Sequence, residues 1–170
     1  MLARTDTIIK WALYLAAGFL CLLVQTIFLD QITLWGVIPF TYPLIVAIPA
    51  TMEDSLFGSV YGLVFGVLCD LLLPTPIPCF FTLSLTAVGF FAGLLSRNWL
   101  PVGLLCSLAA ALVAFFLTDG FHAVVLWAQN HAAWRTAAWV SLREFCVSLP
   151  FIVLITPLFD RLYRHVHRDD

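Results

Sequence analysis

The chain has 170 residues, of which 62% are hydrophobic and only 11% charged, and its mean hydropathy is +1.02. A soluble domain carries about 25% charged residues, so the composition indicates an all-α polytopic membrane protein. It forms one integral domain over residues 1–170, with no room for a separate catalytic or nucleic-acid-binding domain. The net charge of −2 identifies no partner, and no motif for cradling phosphate or reading DNA is present.

Taken in order, residues 1–10 are a short polar start with Arg4 and Lys10. Residues 11–29 form a first span, close to the ~20 residues needed to cross. Its apolar run exceeds a signal-peptide core, and Leu29-Asp30-Gln31 is not a small-residue cleavage site, so it reads as an anchor. Gln25 is its most polar interior residue. Residues 34–52 form a second apolar stretch, broken by Pro39, Pro43 and Pro49. Proline removes a backbone donor and kinks a helix, so this span is expected to be short, tilted or broken. Glu53 and Asp54 make an acidic turn.

The third span, residues 56–73, reads LFGSVYGLVFGVLCDLLL. Gly58, Gly62 and Gly66 recur every fourth residue, and Asp70 is the next step of that series. Four-residue steps keep to one helix face. In lipid, small residues at this spacing let another helix approach closely, and a carboxylate within a span must face the bundle interior, water or a partner. A structural partner for Asp70, such as Arg143 or a backbone group, fits better than catalysis. Pro74, Pro76 and Pro78 form a rigid turn, and a fourth span, residues 79–95, repeats the small spacing with Gly89 and Gly93.

A loop with Arg97 leads to a fifth span, residues 102–122, whose apolar character continues to Ala128. Its last turns carry Asp119 and His122, three apart on one face. They read either as a proton relay or ligand site or as an interfacial anchor for the helix end. Residues 129–141 suit the membrane interface, with His131, Arg135 and Trp127, Trp134 and Trp139 in reach. A sixth span, residues 144–160, is bent by Pro150 and Pro157. The tail to Asp170 carries Arg161, Arg164, His165, His167 and Arg168, and can lie against anionic lipid.

Six spans place both termini on one side, with Arg4, Lys10, Arg97, Arg161, Arg164 and Arg168 of the eight basic residues. The positive-inside rule makes that side the cytoplasm. Gln25, Asp70 and Asp119 then lie roughly 20–27 Å beyond the inner ends of their spans at 1.5 Å per residue. His122 lies one turn further, and Arg143 and Glu144 begin the sixth span. The expectation is a polar cavity in the outer half, lined by Gln25, Asp70, Asp119, His122, Arg143 and Glu144, above dry helix packing.

Enzyme readings lack their motifs. Paired intramembrane aspartates invite a protease, but the asparagines that accompany them in lipoprotein signal peptidases are absent near Asp70 and Asp119: the chain has only Asn98 and Asn130. Gly-x-Gly-Asp and Gly-x-Ser-Gly are absent too. Cys21, Cys69, Cys79, Cys106 and Cys146 follow no disulfide or metal spacing and read as small apolar fillers. No metal and no cofactor is expected.

The stretch from Gly62 to Leu72, GLVFGVLCDLL, resembles the most recognisable segment of the rod shape-determining protein MreD family. There a proline-led span precedes a glycine-rich span ending in an aspartate, followed by a short turn and a span with small residues. Here those parts are Pro43 onward, Gly58 to Asp70, and Gly89 to Gly93. The layout is similar over the whole chain; the specific part is residues 43–97. Where the family often has a glycine after the turn, this chain has Pro78-Cys79-Phe80. The resemblance implies a non-enzymatic component of the bacterial inner membrane that scaffolds or regulates lateral wall synthesis. Its partners would be MreC and, through it, MreB and the RodA–transpeptidase pair. The glycine faces would pack the bundle or receive MreC's transmembrane helix. A second resemblance is to the substrate-binding subunits of energy-coupling-factor vitamin transporters, similar in size, span number and outward pocket. Those subunits meet their coupling partner through Ala-x-x-x-Ala in the first span, which Ala12 and Ala16 match.

Overall fold

A computed structural model describes residues 2–33, 35–73, 77–128 and 134–166. Its helices are α1 (Leu2–Ile27), α2 (Tyr42–Met52), α3 (Ser55–Leu72), α4 (Phe80–Asn98), α5 (Leu104–Ala128) and α6 (Trp134–Val166). Five segments are long and apolar enough to cross a membrane: Ile8–Gln31, Ser55–Leu72, Phe80–Asn98, Leu104–Val125 and Trp139–His165. The turn expected at Pro74 and Pro76 and the part of the interfacial segment around His131 lie outside the described residues.

The sixth helix corrects the second expected span. Among the described residues 35–52, the α-helix covers Tyr42–Met52, 11 residues long and short of a membrane crossing. It follows a single 3-10 turn at Leu29–Gln31 and a left-handed pair, Trp35 (φ 54°) and Gly36 (φ 77°). Pro39 keeps the residue before it out of the helical region, and Pro43 sits in the first turn, where a proline lacks no bond. The helix therefore begins only after Thr41. Other helices run past their expected ends: α4 continues through Ser96 and Arg97, α5 passes Asp119 and His122 without a break, and α6 contains Pro150 and Pro157 yet stays continuous. Proline is tolerated inside membrane helices because neighbours re-satisfy the freed backbone groups.

Every residue of α2 is buried, and α2 touches all five long helices. Aromatic rings pack around its N-terminal end. Phe40 and Tyr42 meet Phe81, and Phe40 also meets Phe115. Residues at both ends of α2 are buried, and buried backbone groups need partners. Neighbouring helices supply them. The Phe40 N–H donates to Ser148 Oγ of α6 at 3.0 Å, and the Ser96 hydroxyl of α4 donates to the Thr51 carbonyl.

These bonds fix two ends of the bundle. A basal end holds Lys10, Glu53, Asp54 and Arg97, tied by the Lys10–Glu53 pair at 2.6 Å and the Arg97–Asp54 pair at 3.4 Å. A distal end holds Gln25, Asp70 and Asp119. On α6, Phe159 stacks on Tyr14 of α1 on the basal side, so the chain's two terminal helices share that end.

Candidate functional site

The closest approach in the molecule lies between α3 and α4. A methyl group on Gly58 would strike the Gly89 carbonyl, and one on Gly89 would strike the Gly58 carbonyl. One on Gly62 would lie against the Leu85 carbonyl, 2.8 Å from its carbon. At Gly66 it would sit 2.7 Å from the Phe81 carbonyl oxygen, and at Gly93 2.8 Å from the Ser55 nitrogen. The two backbones are thus in direct contact along a seam to which Gly58, Gly62, Gly66, Gly89 and Gly93 all contribute. Any side chain there separates the helices. The spacing of four leaves this one face bare while Leu56, Val60, Leu63 and Val67 stand exposed elsewhere on α3.

Asp70 closes the distal end of that seam. Its Oδ1 accepts from the Phe81 N–H at 2.9 Å, and its Oδ2 accepts from the Thr82 N–H at 2.9 Å and the Thr82 hydroxyl at 2.6 Å. Phe81 and Thr82 lie in the first turn of α4, whose own N-cap, Cys79, makes no side-chain cap bond. Asp70 therefore acts as an N-cap supplied by another helix, satisfying orphan donors and placing negative charge at the positive end of the α4 dipole. Its partners are backbone groups and a threonine. Asp70 does not share a site with the other polar residues named from sequence.

Gln25 forms a second, separate network. Its amide nitrogen donates to Asp30 Oδ1 and to the Pro39 carbonyl, both at 2.7 Å, and its carbonyl accepts from the Thr41 hydroxyl. Tyr42 donates to Asp30 Oδ2 at 3.2 Å. Gln25 is 1% exposed, and this network pins the α1–α2 connection to the end of α1. A third group joins α5 to α6. The Ser141 hydroxyl donates to Asp119 Oδ2, and Glu144, one turn beyond Ser141, lies within electrostatic reach of Asp119. His122 is also within electrostatic reach of Asp119; it stands exposed, edge-on to the Phe80 ring at 5.9 Å. Arg143 is exposed. The six residues expected to line one cavity thus do not come together: Asp70, Gln25 and the Asp119–His122–Glu144 group stand apart, and Arg143 is exposed.

Several residues with large structural roles carry no sequence signal of their own. Glu53 accepts from both Lys10 and Tyr14 at the basal end, at 2.6 and 3.1 Å. The Tyr61 hydroxyl donates to the Tyr14 carbonyl at 3.1 Å. That bond needs Gly18 one turn further along α1, where a methyl would collide with the Tyr61 hydroxyl. A lone Gly18 in an apolar run is visible in sequence, but its partner on α3 is not.

Two apolar grooves open on the sides. One, of 320 Å³, runs between α5 and α6 past Leu104, Cys146, Pro150 and Val153. The other, of 390 Å³, lies beside Phe91, Leu112 and Phe116. Among the described residues no three His, Cys, Asp or Glu side chains converge as a metal site requires.

The geometry defines a class: a multi-pass helical membrane protein in which a short central helix is enclosed by long apolar ones, and buried polar groups tie helix ends together. Compared with known proteins, the chain matches no family model, no curated protein and no solved structure.

Proposed function

We propose that this protein is a non-enzymatic scaffold of the MreD type, a component of the bacterial inner membrane that holds or regulates lateral cell-wall synthesis together with MreC. The observation that carries the reading is what the signature stretch is used for. The glycines and Asp70 on which the resemblance rests all serve one unit, the α3–α4 seam and its cap. A protein whose most characteristic residues build a rigid frame suits a holding role, since its output is a fixed surface. In this reading the glycine faces are occupied within the chain, and a partner's transmembrane helix meets the outer faces of the long helices. In this reading both termini lie in the cytoplasm, following the positive-inside rule applied to the sequence.

A second reading, the small-molecule-binding subunit of a vitamin-type transporter, draws on one observation. Ala12 and Ala16 stand exposed on the outer face of α1, free to meet a coupling subunit. One experiment separates the two. The tagged protein is purified in mild detergent from its native membrane, and co-purifying proteins and small molecules are identified by mass spectrometry. Recovery of MreC with wall-synthesis enzymes is the expected result. Recovery of an ATPase module or a bound vitamin, without MreC, overturns the scaffold reading.

A further inference from the structure

The connection between α1 and α2 is unusual for a loop at a helix end. It exposes large apolar side chains, with only Gln31 and Thr33 as exposed polar ones, and it is firmly held. Phe28, Ile32, Trp35 and Ile38 are 62%, 48%, 79% and 42% exposed. Yet the loop is clamped from beneath by the Gln25–Asp30, Gln25–Pro39 and Tyr42–Asp30 bonds. At its tip Trp35 takes the left-handed backbone conformation (φ 54°) that bulky side chains rarely adopt. Such strain persists only where the surroundings over-determine it, and it clusters at working positions.

We infer that this loop is an interfacial membrane anchor, with Trp35 seated at the headgroup level of the leaflet at the distal end. Depth supports the assignment. α1 rises roughly 27 Å between Lys10 and Phe28 at 1.5 Å per residue, against a hydrocarbon thickness of about 30 Å. With the charged basal residues at one boundary, the loop falls at the other. The exposed apolar side of α1 continues through Ile27 and Phe28 into Ile32 and Trp35 of the loop, so the loop extends the lipid-facing surface of that helix. Trp127 and Trp139, 75% and 63% exposed, stand near the same end on α5 and α6. Exposed tryptophans on three elements at one end fit an aromatic belt, where an amphipathic ring meets headgroups. The left-handed turn at Trp35–Gly36 sets the ring outside the bundle, and the Gln25 network holds it there. The inference rests on the membrane class of the protein and is independent of the rod-shape reading.

The test uses the full-length protein in phosphatidylcholine nanodiscs whose acyl chains carry bromine either near the headgroup or near the methyl end. Tryptophan emission is compared between the wild type and W35F, so that the difference reports Trp35 alone. Bromine near the headgroup is expected to quench that difference at least about twofold more than bromine near the methyl end, while aqueous iodide quenches it little. Ile32→Trp is read in parallel, so that the result does not depend on W35F folding: its added emission is expected to show the same shallow quenching. Quenching by iodide instead of by bromolipid would place the loop in water. Quenching by neither would mean that protein covers it. Either result overturns the inference.

Discussion

The α3–α4 pair and the α5–α6 pair are both antiparallel helix pairs of similar apolarity, but they are built on opposite principles. Between α3 and α4 the backbones touch, every glycine of the seam is filled by the opposite chain, and Asp70 caps across the gap. Between α5 and α6 contact is made by side chains, such as Phe115 edge-on to Phe145 at 5.3 Å, and a 320 Å³ apolar groove remains beside them. Gly120 of α5 has nothing within 4 Å of where a side chain would begin, and a Ser141–Asp119 bond links the helices at the distal end. Lipid tails are as apolar as leucine, so burial alone does not drive helices together in a membrane. Close packing and interhelical hydrogen bonds do. The contrast shows where that driving force is concentrated: α2, α3 and α4 form the frame, while α5 and α6 enclose it with a looser seam of their own.

The largest effect should come from filling the tight seam. Gly62→Leu places a branched side chain against the Leu85 backbone, which cannot move as a side chain could. Overpacking costs about 1–3 kcal/mol or more where the structure can adjust, and here α4 must move away as a unit. The expected outcome is loss of the monodisperse peak on size-exclusion chromatography in detergent. Full stability of this variant would remove the seam from the frame.

Removing the cap is next. Asp70→Ala leaves the Phe81 and Thr82 N–H groups without their acceptor. Hydrogen bonds to charged groups contribute about 1.5–3 kcal/mol, so a clear fall in the melting temperature by circular dichroism is expected. Asp70→Asn keeps one carbonyl acceptor and should fall between the two. If Asp70→Asn equals Asp70→Ala, the geometry of the cap is not what matters. A smaller effect, about 1 kcal/mol, is expected for Tyr61→Phe, which removes one hydrogen bond to the Tyr14 carbonyl and keeps the ring packing. An equal loss in Gly18→Ala and in the double variant with Tyr61→Phe would show that the two residues act as one contact.

The same contrast explains what could be read from the sequence. The α3–α4 seam was legible because a spacing of four defines a face without any knowledge of its partner, and both helices carry that spacing. The all-helical fold followed from hydropathy. The central helix was harder. Residues 34–52 are apolar throughout, and hydropathy does not distinguish a membrane-length span from a short helix buried on every side. Pro39, Pro43 and Pro49 signalled trouble there, but not that the helix would start only at Tyr42. Counting along a helix places Gln25, Asp70 and Asp119 toward the same ends of their helices, and nothing more about them is local. Their grouping was not legible, because the bearing of each helix around the bundle axis is set by packing. Asp70 therefore faces the α4 N-terminus, while Gln25 faces the loop and Asp119 faces α6. The Tyr61–Tyr14–Gly18 contact joins residues far apart in sequence, and no local pattern marks it.

The most direct test pairs two identical substitutions in the two regions. Gly62→Ala and Gly120→Ala each add one methyl to a helix, and in isolation each raises helix propensity by up to about 1 kcal/mol. Their melting temperatures are measured side by side in one detergent. Gly62→Ala is expected to melt well below the wild type because the methyl meets the Leu85 carbonyl, and Gly120→Ala at or slightly above it because nothing lies in the way. Equal melting temperatures for the two variants, or a higher one for Gly62→Ala, would contradict a frame built on backbone contact between α3 and α4.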